Sequence, residues 1–461
     1  MSLRPRIALA TLTETRADFR SRRAHLVEEE IRAIHWLKEH VDVVESEIMV
    51  SVEDLHRFVQ RVETFGAQAL IVHIPVWTAP VLTVKLANFL ALPILLLGNL
   101  RSETSSMVGL LGAGGALDQV GIAHERVFDH RADEAQRKVL AFARAAAAIK
   151  TLRGQTFGMF GGRSLGMITA TADPAQWQRI FGVDIDHADQ IAIIEAAAAI
   201  AVEDVQKHTK WLTERLGRVE YGGLFDAAAF ERQIRSYLAT RLLVKQRGYN
   251  FVGVKCQPEL SDGYATQCVV HTLMNGLVDA DGAKNAIVDT CEADADGALT
   301  MQILHLLSAG QPTALLDMRW FDAAAGVWTL ANCGAIPAVF AATEEDPSGL
   351  SNTHLIPHVF GRGGGGALPL VVAPQDLTLA RLCRKGGEYW MAIVRGQAEQ
   401  RDRSELARAT PAFPQAFIRA SAGMDLLAVF GSNHFHMVSG DFTKELVVFC
   451  RLVGISWKLW E

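Results

Sequence analysis

The first third of the chain alternates two hydrophobic rhythms. RIALATL, VDVVESEI, ALIVHIP and LPILLLGN are short apolar runs rich in leucine and β-branched residues. Between them, HLVEEEIRAIHWLKEH and SVEDLHRFVQRVETFG repeat their apolar residues at the spacing of a helix. Buried strands separated by amphipathic helices describe a parallel sheet covered by helices. Residues 1–150 are therefore expected to form one α/β domain. The rhythm restarts at TLRGQTFGMFGGRSLGM and continues through IFGVDIDHAD, a long helical stretch, FVGVKC and NAIVDTCEAD, predicting a second α/β domain over 151–310. Past Gly310 the helices thin out. PTALLDMRWF, VWTLANCG, GALPLVVAPQDLTLARL, EYWMAIVRG, MDLLAVFG and LVVFCRLVGISWKLW read as strands among glycine-rich turns, so a β-rich, barrel-like domain is expected over 311–461.

Composition narrows the classes of function. A chain of 461 residues, 49% hydrophobic, is too long for one ordinary core. Its net charge of −6 and dispersed basic residues give no stripe for a nucleic-acid backbone, which leaves a small molecule or another protein as the expected partner. The apolar part of the opening MSLRPRIALATLTETRADFR is too short for a secretion signal, and runs such as ALPILLLGNL fall well below the ~20 residues of a membrane span. Six cysteines, at 256, 268, 291, 333, 383 and 450, lie far apart without a CxxC pair and suggest a reducing compartment. A cytoplasmic location away from membranes is expected.

Candidate chemistry gathers at CEADADGALTM, residues 291–301. A strand ends at this acidic cluster, a helix is expected from about Gly297 until Gly310 stops it, and the next strand, ALLD, ends at Asp317. Glu292 and Asp317 then sit near the carboxyl ends of consecutive strands, the edge of an α/β sheet where ligands bind. Direct pairing of those strands, ~4.8 Å apart, would let both carboxylates reach one ion or one small substrate. Asp294 or Asp296 reads as a helix N-cap. Glu292 and Asp317 each follow an apolar run, where a carboxylate without a partner is costly. In MDLLAVFGSNHFHMVSGD, His434 and His436 follow a further apolar run, and a strand's period of two places them on one side. A hydrogen-bonded histidine pair at a domain seam is the alternative. Glu, Asp and His together make a hard donor set suited to Mn²⁺ or Mg²⁺, with histidine favouring Mn²⁺. Gly161, Gly162 and Arg163 of FGGRSLGM read as a glycine turn leading toward a helix, with the spacing of neither a dinucleotide loop nor a P-loop. LLGAGGALDQVG at 110–121 lacks the acidic partner of a nucleotide fold and reads as a tight turn.

Taken in order, CEADADGALTM, ALLDM, NCG at 332–334 and GSNHFHMVSGD followed by ELVVFCRLVGI resemble the L-fucose isomerase and L-arabinose isomerase family. The resemblance implies two α/β domains and a β-rich domain around a divalent metal, usually Mn²⁺, in a homo-oligomer, a trimer or hexamer, with sites at subunit boundaries. It implies Glu292, Asp317 and His434 as ligands, with Glu292 and Asp317 also serving as the acid/base pair. The arabinose branch carries glutamate where Asp317 stands, so the chain lies closer to the fucose branch. Trp77, in HIPVWTAP, matches an aromatic that reaches a neighbouring subunit's sugar, with ordinary packing as its alternative. Arg16, His436 and Arg163 complete the candidate sugar contacts, and His354 and His358 stand outside the ligand set. The expected reaction is metal-dependent interconversion of an aldose and a ketose through an enediolate. A sugar-binding or sensor protein and a metal-dependent hydrolase are the rivals.

Overall fold

A computed structural model describes residues 4–404 and 406–461. The chain divides into two compact units, one ending at Thr151 and joined by Lys444–Gly454, the other comprising Leu152–Thr443 and Ile455–Glu461.

The first unit is built on β1 (Arg6–Leu12), β2 (Asp42–Met49), β3 (Ala69–His73), β4 (Ile94–Leu97) and β5 (His124–Val127). They form a parallel sheet in the order β2-β1-β3-β4-β5. Every residue of β3 and β4 is buried, which is why ALIVH and ILLL are apolar without alternation. Helix α1 (Val52–Phe65) begins at a capping box, Ser51 with Asp54, and ends at Gly66 in the left-handed region, φ 68°. The glycines of LLGAGGALDQVG do not form a tight turn. They lie in and just beyond helix α2 (Ser106–Gln119), whose buried Leu110, Ala113 and Leu117 keep helical spacing. Gly109 serves close approach: a Cβ there would stand 3.1 Å from the Thr78 amide and 3.2 Å from the Trp77 Cα.

In the second unit β6 (Thr156–Phe160), β7 (Asp184–Ala188), β8 (Phe251–Val254) and β9 (Asp289–Cys291) form a parallel sheet in the order β9-β8-β6-β7. Helix α3 (Ala295–Leu307) follows, and its first ten residues are all buried because it packs on this sheet and on the barrel beyond it. The barrel strands are β10 (Thr313–Asp322), β11 (Val327–Ala331), β12 (Gln375–Lys385), β13 (Glu388–Ala398), β14 (Gln415–Ala420) and β15 (His434–Ser439). They close antiparallel as β12-β15-β10-β11-β14-β13, with β13 pairing back to β12. Closure leaves no free edge in the ring, and Leu316, Leu330, Leu377, Ile418 and Met437 fill its core.

Two apolar runs expected as strands are not strands. MDLLAVFG holds one helical turn at Met424–Leu427, where Leu426 alone is buried while Met424, Leu427 and Val429 are exposed. LVVFCRLV forms helix α4 (Thr443–Val453), whose buried Leu446, Phe449 and Cys450 follow a helical period. Most of this helix belongs to the first unit, where Glu445 accepts from Arg144 at 2.9 Å and Lys444 meets Glu134 at 3.0 Å. The chain then returns as β16 (Ser456–Trp460), parallel to β13. All six cysteines are free and buried. Among the described residues no helix is long and apolar enough to cross a membrane.

Candidate functional site

Glu292, Asp317 and His434 meet in the second unit, but not by the expected route. β9, which precedes Glu292, pairs with β8, whereas β10 pairs with β11 and β15 in the barrel. The two carboxylates thus come from different sheets. The direct cross-strand pair is Asp317 with His434. Glu292 arrives through a sharp turn in which it and Ala293 both take the left-handed conformation, φ 62° and 49°. Such residues cost on the order of 1 kcal/mol each and persist where the surroundings demand them.

The imidazole of His434 is the hub. Its Nε2 stands 3.4 Å from Glu292 Oε2 and 3.4 Å from Asp317 Oδ1, while Nδ1 donates to Asp294 Oδ2 at 2.7 Å. Burial works against charging this ring, yet the bonds to Asp294, Asp317 and Glu292 hold it protonated well above the usual histidine range. Burial pushes the Glu292 carboxyl up, and His434 opposes the shift. Asp294 feels the same desolvation, but Arg381 and His434 outweigh it and keep the carboxylate ionised. Two carboxylates converging on one imidazole nitrogen make a donor set that could hold a divalent cation. Their hard oxygens with one nitrogen suit Mn²⁺ or Mg²⁺.

Of the two expected caps, Asp294 is the N-cap of α3, its Oδ1 accepting from the Gly297 amide at 2.9 Å. Asp296 is occupied elsewhere, accepting from Trp177 Nε1 at 3.2 Å, Tyr389 OH at 2.7 Å and Arg384 Nε at 2.9 Å. His436 lies on the same side of β15 as His434, as alternation predicts, but fully buried against the first turn of α3, where burial keeps it neutral. A Cβ on Gly297 would stand 2.6 Å from His436 Nε2 and 2.7 Å from the Asp294 carboxyl carbon. Gly297→Ala is therefore expected to destabilise the protein by ~1–3 kcal/mol, the usual cost of overpacking, as measured by urea unfolding.

The FGGRSLGM segment leads into a single 3-10 turn, Ile168–Ala170, before the helix Pro174–Ile180. It lies beside the strand end that carries His434: the Thr169 carbonyl accepts from Arg381 Nη2 at 2.7 Å, and Asn433 Nδ2 approaches Met167 Sδ at 3.8 Å. Arg163 is exposed on this loop. Arg319 escaped the sequence reading although its spacing of two from Asp317 was visible. Its Nη2 donates to Asp317 Oδ2 at 3.1 Å and its guanidinium lies 5.6 Å over the Phe413 ring. His358 is held by the Cys333 carbonyl at 2.6 Å.

Arg16 and Trp77 lie together in the first unit, just past the carboxyl ends of the neighbouring strands β1 and β3. The Arg16 guanidinium binds buried Glu14 through Nε at 2.9 Å and Nη2 at 2.7 Å, and stands 5.3 Å over the Trp77 ring. A separate group, His208, Asp279 and Asp281, brings three donor atoms within 4.8 Å of one another. Arg241 already binds Asp279 at 2.7 Å and Lys207 binds Asp281 at 2.6 Å, which makes this group an ion-pair cluster.

Two sets of parallel strands with helices are thus followed by a closed antiparallel barrel, with an acidic, imidazole-bearing group where sheet and barrel join. The chain belongs to the L-fucose isomerase family, whose first N-terminal domain matches residues 4–154 and whose C-terminal domain matches residues 330–461. His434 falls within the matched segments, while Glu292 and Asp317 lie between them. The chain is 23% identical to the sulfoquinovose isomerase of Clostridium sp. (strain MSTE9) over 453 residues, 94% of each protein. Similarity to the sulfoquinovose isomerase of Priestia megaterium is 21%, over 93% of this chain and 94% of that protein. The L-fucose isomerase of Bacteroides thetaiotaomicron is 24% identical over 205 residues, 38% of this chain and 34% of that enzyme. A solved periplasmic binding protein of an arabinose transporter from Shewanella sp. ANA-3 overlays with a TM-score of 0.16 at 12% identity, covering 66% of this chain and 86% of that one, too little for an argument.

Proposed function

We propose that the protein interconverts an aldose and a ketose, with a divalent cation, Mn²⁺ or alternatively Mg²⁺, held by Glu292, Asp317 and His434. The observation that carries this reading is the position of His434 Nε2, 3.4 Å from each of the two carboxylates. Isomerisation moves a proton between C1 and C2 of the open-chain sugar through an enediolate. The bound cation would supply Lewis-acid stabilisation of the charge that develops on the two sugar oxygens. Proton transfer falls to the protein's own carboxylates. Burial pushes the Glu292 carboxyl up, which favours its holding a proton, and the more exposed Asp317 is accessible to substrate, its side chain 22% exposed against 15% for Glu292. Arg319, which donates to Asp317, and Arg163, exposed on the adjoining loop, are the cationic side chains that would meet an anionic substituent of the sugar.

End-to-end likeness to two sulfoquinovose isomerases, against a partial match to L-fucose isomerases, makes sulfoquinovose the first substrate to assay and L-fucose the second. The arginines suit the sulfonate of the first. The family relation supports a homo-oligomer, trimer or hexamer, which light scattering would measure. The working parts proposed for the chain are 1–150, 151–310 and 311–461.

Removal of the cation tests the reading. Protein stripped with a chelator is expected to lose isomerase activity and to regain it on addition of Mn²⁺. Full activity in a demonstrably metal-free sample would overturn it, and cleavage of the sugar in place of isomerisation would favour a hydrolase.

A further inference from the structure

Capping α3 requires one oxygen from residue 294, and serine, threonine or asparagine would provide it. Asp294 does more. While Oδ1 caps the Gly297 amide at 2.9 Å, Oδ2 accepts from His434 Nδ1 at 2.7 Å and from Arg381 Nη1 at 2.5 Å. Asp294 is fully buried and Arg381 is 1% exposed. Burying such a pair costs several kcal/mol per ion before their attraction is counted. A cap alone gives no reason for that cost, whereas the bond to His434 does.

We propose that Asp294 is the positioning residue of the metal site, fixing the His434 proton on Nδ1 so that the Nε2 lone pair faces Glu292 and Asp317, with Arg381 holding the carboxylate in place. The proposal rests on the reading of His434 as a ligand. Arg381 also donates to the Thr169 carbonyl at 2.7 Å, so the loop beside the site is anchored at the same point. A carboxylate behind a ligating imidazole selects the tautomer, orients the ring and raises its basicity, and its loss typically weakens metal binding by ~10–100-fold.

The test is a titration of chelator-stripped full-length protein with Mn²⁺, following the free ion by electron paramagnetic resonance, for wild type and Asp294→Asn. Asparagine keeps the shape and the capping oxygen but turns an amide donor toward His434 or Arg381, which favours the proton on Nε2. The expected result is a Kd raised ~10–100-fold. Because Asp294→Asn leaves Arg381 without its counter-charge and the variant is at risk of unfolding, Asp294→Asn/Arg381→Gln removes both charges together and is expected to bind Mn²⁺ as weakly. Melting temperatures of the metal-free proteins separate the roles: a merely structural residue lowers them and leaves the Kd of the folded protein unchanged. Wild-type affinity, within ~3-fold, in a folded variant would reduce Asp294 to a cap and overturn the proposal. Failure of the wild type itself to bind Mn²⁺ would instead bring down the metal reading beneath it.

Discussion

Asp317→Asn is expected to lower turnover by ~10²–10⁴ at saturating Mn²⁺ while the fold survives, since that is the range lost with a general acid/base. Asparagine matches aspartate in shape, and position 317 pairs with Ala331 on one side and His434 on the other through backbone bonds that the change does not touch. An amide oxygen can still accept from Arg319, which donates to the Asp317 carboxylate at 3.1 Å. What the amide cannot do is take a proton at neutral pH. It also brings one negative charge fewer to the cation, so the metal is expected to bind more weakly, and titrating Mn²⁺ to saturation separates that effect from the chemical one. Steady-state kinetics at saturating metal and substrate provide the measurement. Turnover returning to nearly the wild-type value would leave Asp317 as a ligand alone and pass the proton to Glu292 with another group.

His434→Ala is expected to weaken Mn²⁺ binding by at least ~10-fold, the usual consequence of losing a ligand or its support, and by clearly more than His436→Ala. The two histidines are neighbours on one face of β15, yet their surroundings differ. His434 presents Nε2 to Glu292 and Asp317, whereas His436 is fully buried against α3, where Gly297 leaves just enough room for its ring. Loss of the His436 ring leaves a cavity in that seam, and its effect is expected in stability. Metal titration of both folded variants ranks them, and a larger loss for His436→Ala would show that the wrong imidazole has been assigned to the cation.

Sequence was most informative where one physical signal dominated. β3 and β4 were legible because strands buried on both faces are apolar at every position, and α1 because its apolar residues recur at helical spacing. It misled where an apolar run was too short to show its period. LVVFCRLV offers leucine, phenylalanine and cysteine at 446, 449 and 450, a helical spacing that reads as continuous hydrophobicity unless the exposed Arg451 and Lys444 are set against it. MDLLAVFG is apolar at the surface, which no periodicity can reveal. The six residues of β14, QAFIRA, went unread altogether, although they complete the barrel between β11 and β13.

The site shows the same limit. Chemistry singled out Glu292, Asp317 and the pair His434 and His436, the family resemblance chose His434 between the two, and the structure brings Glu292, Asp317 and His434 together, but the contacts between sheet and barrel that do so are long-range and invisible to local pattern. Adjacent strands of one sheet were expected where a sheet and a barrel meet. Asp294 was legible as a cap because capping is local. Its bonds to His434 and Arg381, across 140 and 87 positions of sequence, were not.

The most direct test of the account is proton NMR of the Mn²⁺-loaded protein with sulfoquinovose, and then L-fucose, in D₂O. Proton transfer through an enediolate predicts a ketose product in which a solvent deuteron at C1 replaces the hydrogen lost from C2, formed with Mn²⁺ and not in its absence, with the rest of the sugar intact. Ketose formation by the metal-free protein, or no ketose from these or any other aldose with metal bound, would contradict it.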